Sequence, residues 1–84
     1  MQYALILSRK AEKALRSIDA RYFVRVHAAL LELQKNPRLG KSLKGEYHGL
    51  WSMQVWPYRV IYLIKQREVM IYVVDVGHRQ GIYS

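Results

Sequence analysis

The sequence predicts an α+β fold, with two N-terminal helices packed on a mainly antiparallel sheet in the order β-α-α-β-β-β. Two observations carry that expectation. Apolar residues recur at helical spacing between Ala11 and Leu33, and from Leu50 onward the pattern changes to runs rich in aromatic and β-branched residues. A third is the strand-length apolar run "QYALIL" at residues 2–7.

Each element follows in order. Ser8 is placed to cap a helix over "SRKAEKALRSI", whose Ala11, Ala14, Leu15 and Ile18 form one face and whose Arg9, Lys10, Lys13 and Arg16 lie largely on the other. Asp19 can cap a second helix, in which Phe23, Val26, Leu30 and Leu33 make the buried stripe and Pro37 and Gly40 end the pattern. "PRLGKSLKGEYHG" gathers turn residues with Lys41 and Lys44 and reads as a basic, mobile loop. "LWSMQVW", "YRVIYLIK" and "EVMIYVVDV" then read as three consecutive antiparallel strands, broken at Pro57 and around Gln66 and Arg67. The last two are apolar on both faces, so one face packs on the helix pair and the other needs cover from elsewhere.

Eighty-four residues, 51% of them hydrophobic, make one domain over 1–84 with a single core. The absence of cysteine removes disulfides and thiolate metal ligands, so a reducing, cytoplasmic location is the expectation. No run is long enough to span a bilayer, and the N-terminal residues lack the pattern of a secretory signal; a soluble protein without a membrane partner is expected. Fourteen Lys and Arg against six Asp and Glu give a formal net charge of +8. Such an imbalance suits a polyanionic partner, with nucleic acid first and an acidic protein second.

Chemistry concentrates in two places. Arg59 stands in the otherwise apolar "PYRVIY", where a guanidinium must either pair, with Asp75 or loop carbonyls, or point into a cleft. "VVDVGHRQGIYS" adds His78, Arg79 and Tyr83 at the far end of the last strand, which a meander brings to the same end of the sheet as Arg59. Two guanidiniums suit a phosphate, because each offers a planar fork of donors. A phenol can stack on a base or bond a phosphate oxygen. Trp51, Trp56 and Tyr58 can stack on bases, or serve as core or as a partner's docking surface. No Gly-rich phosphate loop, no metal-ligand spacing and no Ser-His-Asp arrangement is present, so no metal and no cofactor are expected.

The helix pair, the basic "LKG" loop, "YRVIY" and the terminal "VGHRxxxY" together resemble the RelE/ParE superfamily of toxins from prokaryotic toxin–antitoxin modules, over essentially the whole chain. The resemblance implies a RelE-like fold and a toxin with one of two targets. In the RelE branch it implies an endonuclease that cuts mRNA in the A site of the 70S ribosome. In the ParE branch it implies a DNA gyrase inhibitor. A non-catalytic RNA-binding or decayed toxin domain is a third reading.

For the favoured nuclease, the resemblance assigns Arg59 and Arg79 to the scissile phosphate, Tyr83 to substrate orientation and His78 to proton transfer. Lys41, Lys44, His48 and Gln54 are RNA-contact candidates. The implied partners are an acidic, RelB-like antitoxin and, through the antitoxin complex, operator DNA. One departure stands out: two alternate positions before "YR" that are often basic in RelE relatives hold Ser52 and Gln54. Glu46, His48 and His78 are the substitutes available for a missing base.

Overall fold

The computed structural model describes residues 2–78. Strand β1 (Ala4–Leu7) leads into helices α1 (Arg9–Ser17) and α2 (Ala20–Lys35). A 3-10 turn (Pro37–Leu39), a two-residue strand β2 (Lys41–Ser42) and a second 3-10 turn (Gly45–Tyr47) follow, and then β3 (Trp51–Val55), β4 (Tyr58–Lys65) and β5 (Met70–His78). The five strands form one sheet in the order β1-β5-β4-β3-β2. β1 runs parallel to β5, and every other pairing is antiparallel.

The α+β expectation therefore holds, with one addition. "PRLGKSLKGEYHG" is not a plain loop: Lys41 and Ser42 pair with Ser52 and Trp51 and extend the sheet by a short edge strand. Two residues carry too little pattern for a strand to be read from sequence.

Both predicted caps are present. Ser8 Oγ accepts the Ala11 N–H at 3.0 Å, and the Asp19 carboxylate accepts the Arg21 N–H at 2.9 Å. The Arg21 N–H and guanidinium together hold the Asp19 carboxyl below its ordinary range. Ser8 does a second job. Its hydroxyl donates to the Val74 carbonyl at 2.6 Å, where β5 carries an extra residue between the pairs Ile61↔Asp75 and Tyr62↔Val73. One side chain thus fastens the start of α1 to the bulge in β5. Ser8→Ala loses both bonds, and the expected cost is about 1 to 2 kcal/mol, read as a lowered midpoint in thermal or urea unfolding.

The core lies between the helices and one face of the sheet: Ala11, Val26, Leu30 and Leu33 meet Val60, Tyr62, Ile71, Val73 and Val76. Phe23 departs from the expected stripe. It is 40% exposed and stacks on His27, because Val26, Leu30 and Leu33 already fill the core-facing side of α2. Alternation along β4 sends Tyr58, Val60, Tyr62 and Ile64 to the helix side and leaves Arg59, Ile61 and Leu63 on the opposite face.

Candidate functional site

Tyr62 joins the core to the site. Its fully buried phenol donates to the Pro37 carbonyl at 2.7 Å and accepts the Gly40 N–H at 3.1 Å. Burial pushes the phenol above its ordinary value of 10.0, and the Gly40 N–H opposes that shift in part. These bonds hold the segment after α2 against the sheet, so that Lys41 arrives opposite Ser52.

The result is a depression of about 410 Å³ on the β2–β3–β4 side of the sheet. Arg59 and Gln54, cross-strand partners, line it together with Ser52 and Lys41. Leu39, Leu43 and Met53 supply apolar wall, and Gly40 lets the backbone approach closely. The Arg59 side chain is partly buried, with its Nε shielded from solvent. On its other side Arg59 pairs with Gly77, which has no side chain to crowd the guanidinium.

Asp75, one partner the sequence offers Arg59, has others of its own. That carboxylate is engaged by Lys10 at 3.2 Å and by the Val76 N–H at 2.8 Å. The depression is electropositive: among the described residues its lining carries two cations, Arg59 and Lys41, and no carboxylate. Such a pocket suits a phosphate held by a guanidinium, with an amide and a hydroxyl free to bond a sugar or base. Among the described residues no group of three His, Asp or Glu could hold a metal ion.

Of the residues singled out by sequence, the structure brings together Arg59, Gln54 and Lys41. Lys44, Glu46 and His48 are exposed and do not line the depression. His78 pairs with Tyr58, and the two rings meet edge to face at 6.1 Å. Its imidazole therefore accompanies a residue of the helix-facing set, one position out of phase with Arg59. Arg79 and Tyr83 lie outside the described residues. The apolar wall and the close approach at Gly40 escaped the sequence reading, because both depend on the pairing of β2 with β3.

This layering of two helices on a five-stranded sheet is the fold of solved RelE-type toxins. The chain superposes with a TM-score of 0.86 on the toxin–antitoxin complex RelBE2 from Mycobacterium tuberculosis, at 27% identity over 94% of this chain and 100% of that one. The archaeal RelE–RelB complex from Pyrococcus horikoshii OT3 gives a TM-score of 0.82 at 22% identity, over 96% of this chain and 99% of that one. The second match speaks for the fold alone.

A family model described as the ParE toxin of the type II toxin–antitoxin system, parDE, matches residues 5–83, and the chain belongs to that toxin family, within the RelE/ParE superfamily. It is also similar to Toxin RelG of Mycobacterium tuberculosis, 29% identical over 99% of this chain and 98% of that protein. No helix among the described residues is long and apolar enough to cross a membrane.

Proposed function

We propose that this toxin is a ribosome-dependent mRNA endonuclease. The observation that carries the reading is the placement of Arg59 in an electropositive depression directly across the β-ladder from Gln54, with Lys41 beside them. In the proposed reaction the ribose 2′-oxygen attacks the adjacent phosphorus and loses its proton. The P–O5′ bond breaks, the 5′-oxygen takes up a proton, and the products are a 2′,3′-cyclic phosphate and a 5′-hydroxyl.

Arg59 stabilises the charge that develops on the phosphoryl oxygens. Gln54 and Ser52 orient the nucleotide, and Lys41 steers the backbone. The proposal gives Arg79 the second phosphate contact and Tyr83 the stacking on substrate, following the superfamily resemblance; His78, paired with Tyr58 on the helix-facing side, is given no part in it. The described residues lining the depression include no carboxylate and no imidazole, and Lys41 is the one amine among them. Alignment of the attacking oxygen must then come largely from the ribosome that holds the message.

Free RNA is accordingly expected to be a poor substrate, cut at least about a hundredfold more slowly than message on the ribosome. Side-by-side cleavage of naked and ribosome-bound RNA by the purified chain checks this, and equal rates would remove the ribosome from the mechanism.

The proposed protein partner is an acidic antitoxin whose amphipathic segment neutralises the +8 chain; the Mycobacterium tuberculosis structure it resembles is itself a toxin–antitoxin complex. Inducing the chain with and without its operon neighbour, then mapping mRNA 5′ ends, tests toxin, target and partner together. Growth arrest with A-site cuts, relieved by the neighbour, is the expected result.

A second reading is inhibition of DNA gyrase. It is favoured by the uncharged Ser52 and Gln54 in the depression and by the match to the ParE toxin family. Accumulation of linear DNA without mRNA cuts in the same induction would select it.

A further inference from the structure

We infer that the tip of the β3–β4 hairpin is a second nucleotide subsite, where a base of single-stranded RNA stacks on Trp56 and its phosphate lies against Arg25. The inference rests on the RNA reading above and extends the same substrate beyond the Arg59 depression. The two tryptophans differ sharply in setting: Trp51 stacks on the buried Tyr62 with centroids 6.3 Å apart, whereas Trp56 is 55% exposed. A flat indole in water is a platform for any base, since every base has a π-face.

Its cationic neighbour is already in place. Arg25, on α2, donates from Nη1 to the Trp56 carbonyl at 3.3 Å, and its guanidinium carbon lies 6.0 Å from the Tyr22 ring centroid. Among the described residues no carboxylate forms an ion pair with Arg25, so its charge is available. Arg21 lies over the same ring at 5.4 Å, but Asp19 holds it at 3.2 Å and neutralises it. A guanidinium fixed before binding loses little conformational freedom when a phosphate arrives.

Position joins the two subsites. The pair Gln54↔Arg59 is followed by Val55↔Tyr58, and the chain then turns through Trp56 and Pro57. Trp56 stands two residues beyond Gln54, on the order of 7 Å along the strand direction, and because Arg25 lies on the helix side of the sheet the RNA strand passes round the hairpin tip from one subsite to the next. The +8 charge favours a polyanion here. An acidic protein segment could also pack on Trp56 and pair with Arg25, and the polyglutamate arm of the test separates it from RNA.

The test uses the purified chain, an RNA of about eight nucleotides as probe, and tryptophan emission and anisotropy as readouts. RNA is expected to quench the emission. Trp56→Phe removes that quenching while keeping affinity close to wild type, because a stacking ring remains. Trp56→Ala weakens binding about 5- to 150-fold, the range expected for one stacked base. Arg25→Gln lowers the slope of log affinity against log salt by about 0.7, as loss of one phosphate contact requires. Circular dichroism and melting confirm that each variant is folded.

A folded Trp56→Ala variant with wild-type affinity overturns the inference, as does quenching by polyglutamate but not by RNA. The nuclease reading fails separately. Trp56-dependent RNA binding without mRNA cleavage leaves the subsite standing and removes the nuclease, while cleavage untouched by Trp56→Ala does the reverse.

Discussion

Arg59→Ala is expected to abolish growth arrest and to slow mRNA cleavage on the order of a hundredfold, the usual effect of removing one charged donor from a developing oxyanion. The fold should survive. Arg59 points away from the core set of Val60 and Tyr62, and its removal leaves both core bonds of Tyr62 intact. Arg59→Lys should recover only part of the activity, because an ammonium keeps the charge but not the planar fork. The measurements are single-turnover cleavage on programmed ribosomes and a melting curve for each variant. A folded Arg59→Ala chain that still arrests growth at wild-type abundance would take Arg59 out of the site. The same variant bears on the gyrase reading. An inhibitor that works by binding needs no transition-state donor, so arrest would then weaken gradually with affinity.

Local signals in the sequence were sufficient for much of this architecture. Ser8 and Asp19 are read as caps because capping spans only three residues of chain, and both bonds are found. The meander of β3, β4 and β5 is legible because β-branched and aromatic runs alternate with clear breaks at Pro57 and Gln66. What sequence does not carry is register and partner choice. The parallel seat of β1 beside β5 depends on where α1 and α2 return the chain. The pairing of β2 depends on Tyr62, 21 residues from Lys41, holding Pro37 and Gly40.

The candidate site follows the same division. Arg59, Gln54 and Lys41 were legible as residues, and the depression that unites them required the edge strand. His78 shows why register matters: its pairing with Tyr58 places it beside the helix-facing set, a fact fixed only when the β4–β5 ladder is known. Phe23 satisfies helical spacing yet faces solvent, since spacing defines a stripe but not which edge of the stripe the sheet covers.

Gly40→Ala is expected to be the most damaging single-methyl change in the described residues near the site. A Cβ at position 40 would stand 2.6 Å from the Ser52 carbonyl oxygen and 2.7 Å from the Tyr62 hydroxyl, where real contacts do not occur. The Ser52 oxygen belongs to the backbone of β3 and cannot move without disturbing the pairs Lys41↔Ser52 and Ser52↔Ile61. The expected loss is about 3 kcal/mol, at the upper end for overpacking, which lowers the melting point of a domain this size by roughly 10 °C or more.

Tyr62→Phe should cost about 1 to 3 kcal/mol by leaving the Pro37 carbonyl and Gly40 N–H without their buried partner. The folded phenol titrates above its ordinary 10.0, so its contribution is fully present below about pH 10 and is lost as pH rises through the raised value. Wild type should therefore lose its advantage over Tyr62→Phe in alkaline solution.

The double variant separates the two clashes. If the Ser52 carbonyl governs, Gly40→Ala costs nearly as much in the Tyr62→Phe background as in wild type; if the hydroxyl governs, the two costs overlap. The backbone oxygen is the expected winner because it has nowhere to go. Loss of β2 would also withdraw Lys41 from the depression, so cleavage should fall along with the melting point. A Gly40→Ala chain that melts and cuts like wild type would mean that the approach of Gly40 to Ser52 does not shape the site.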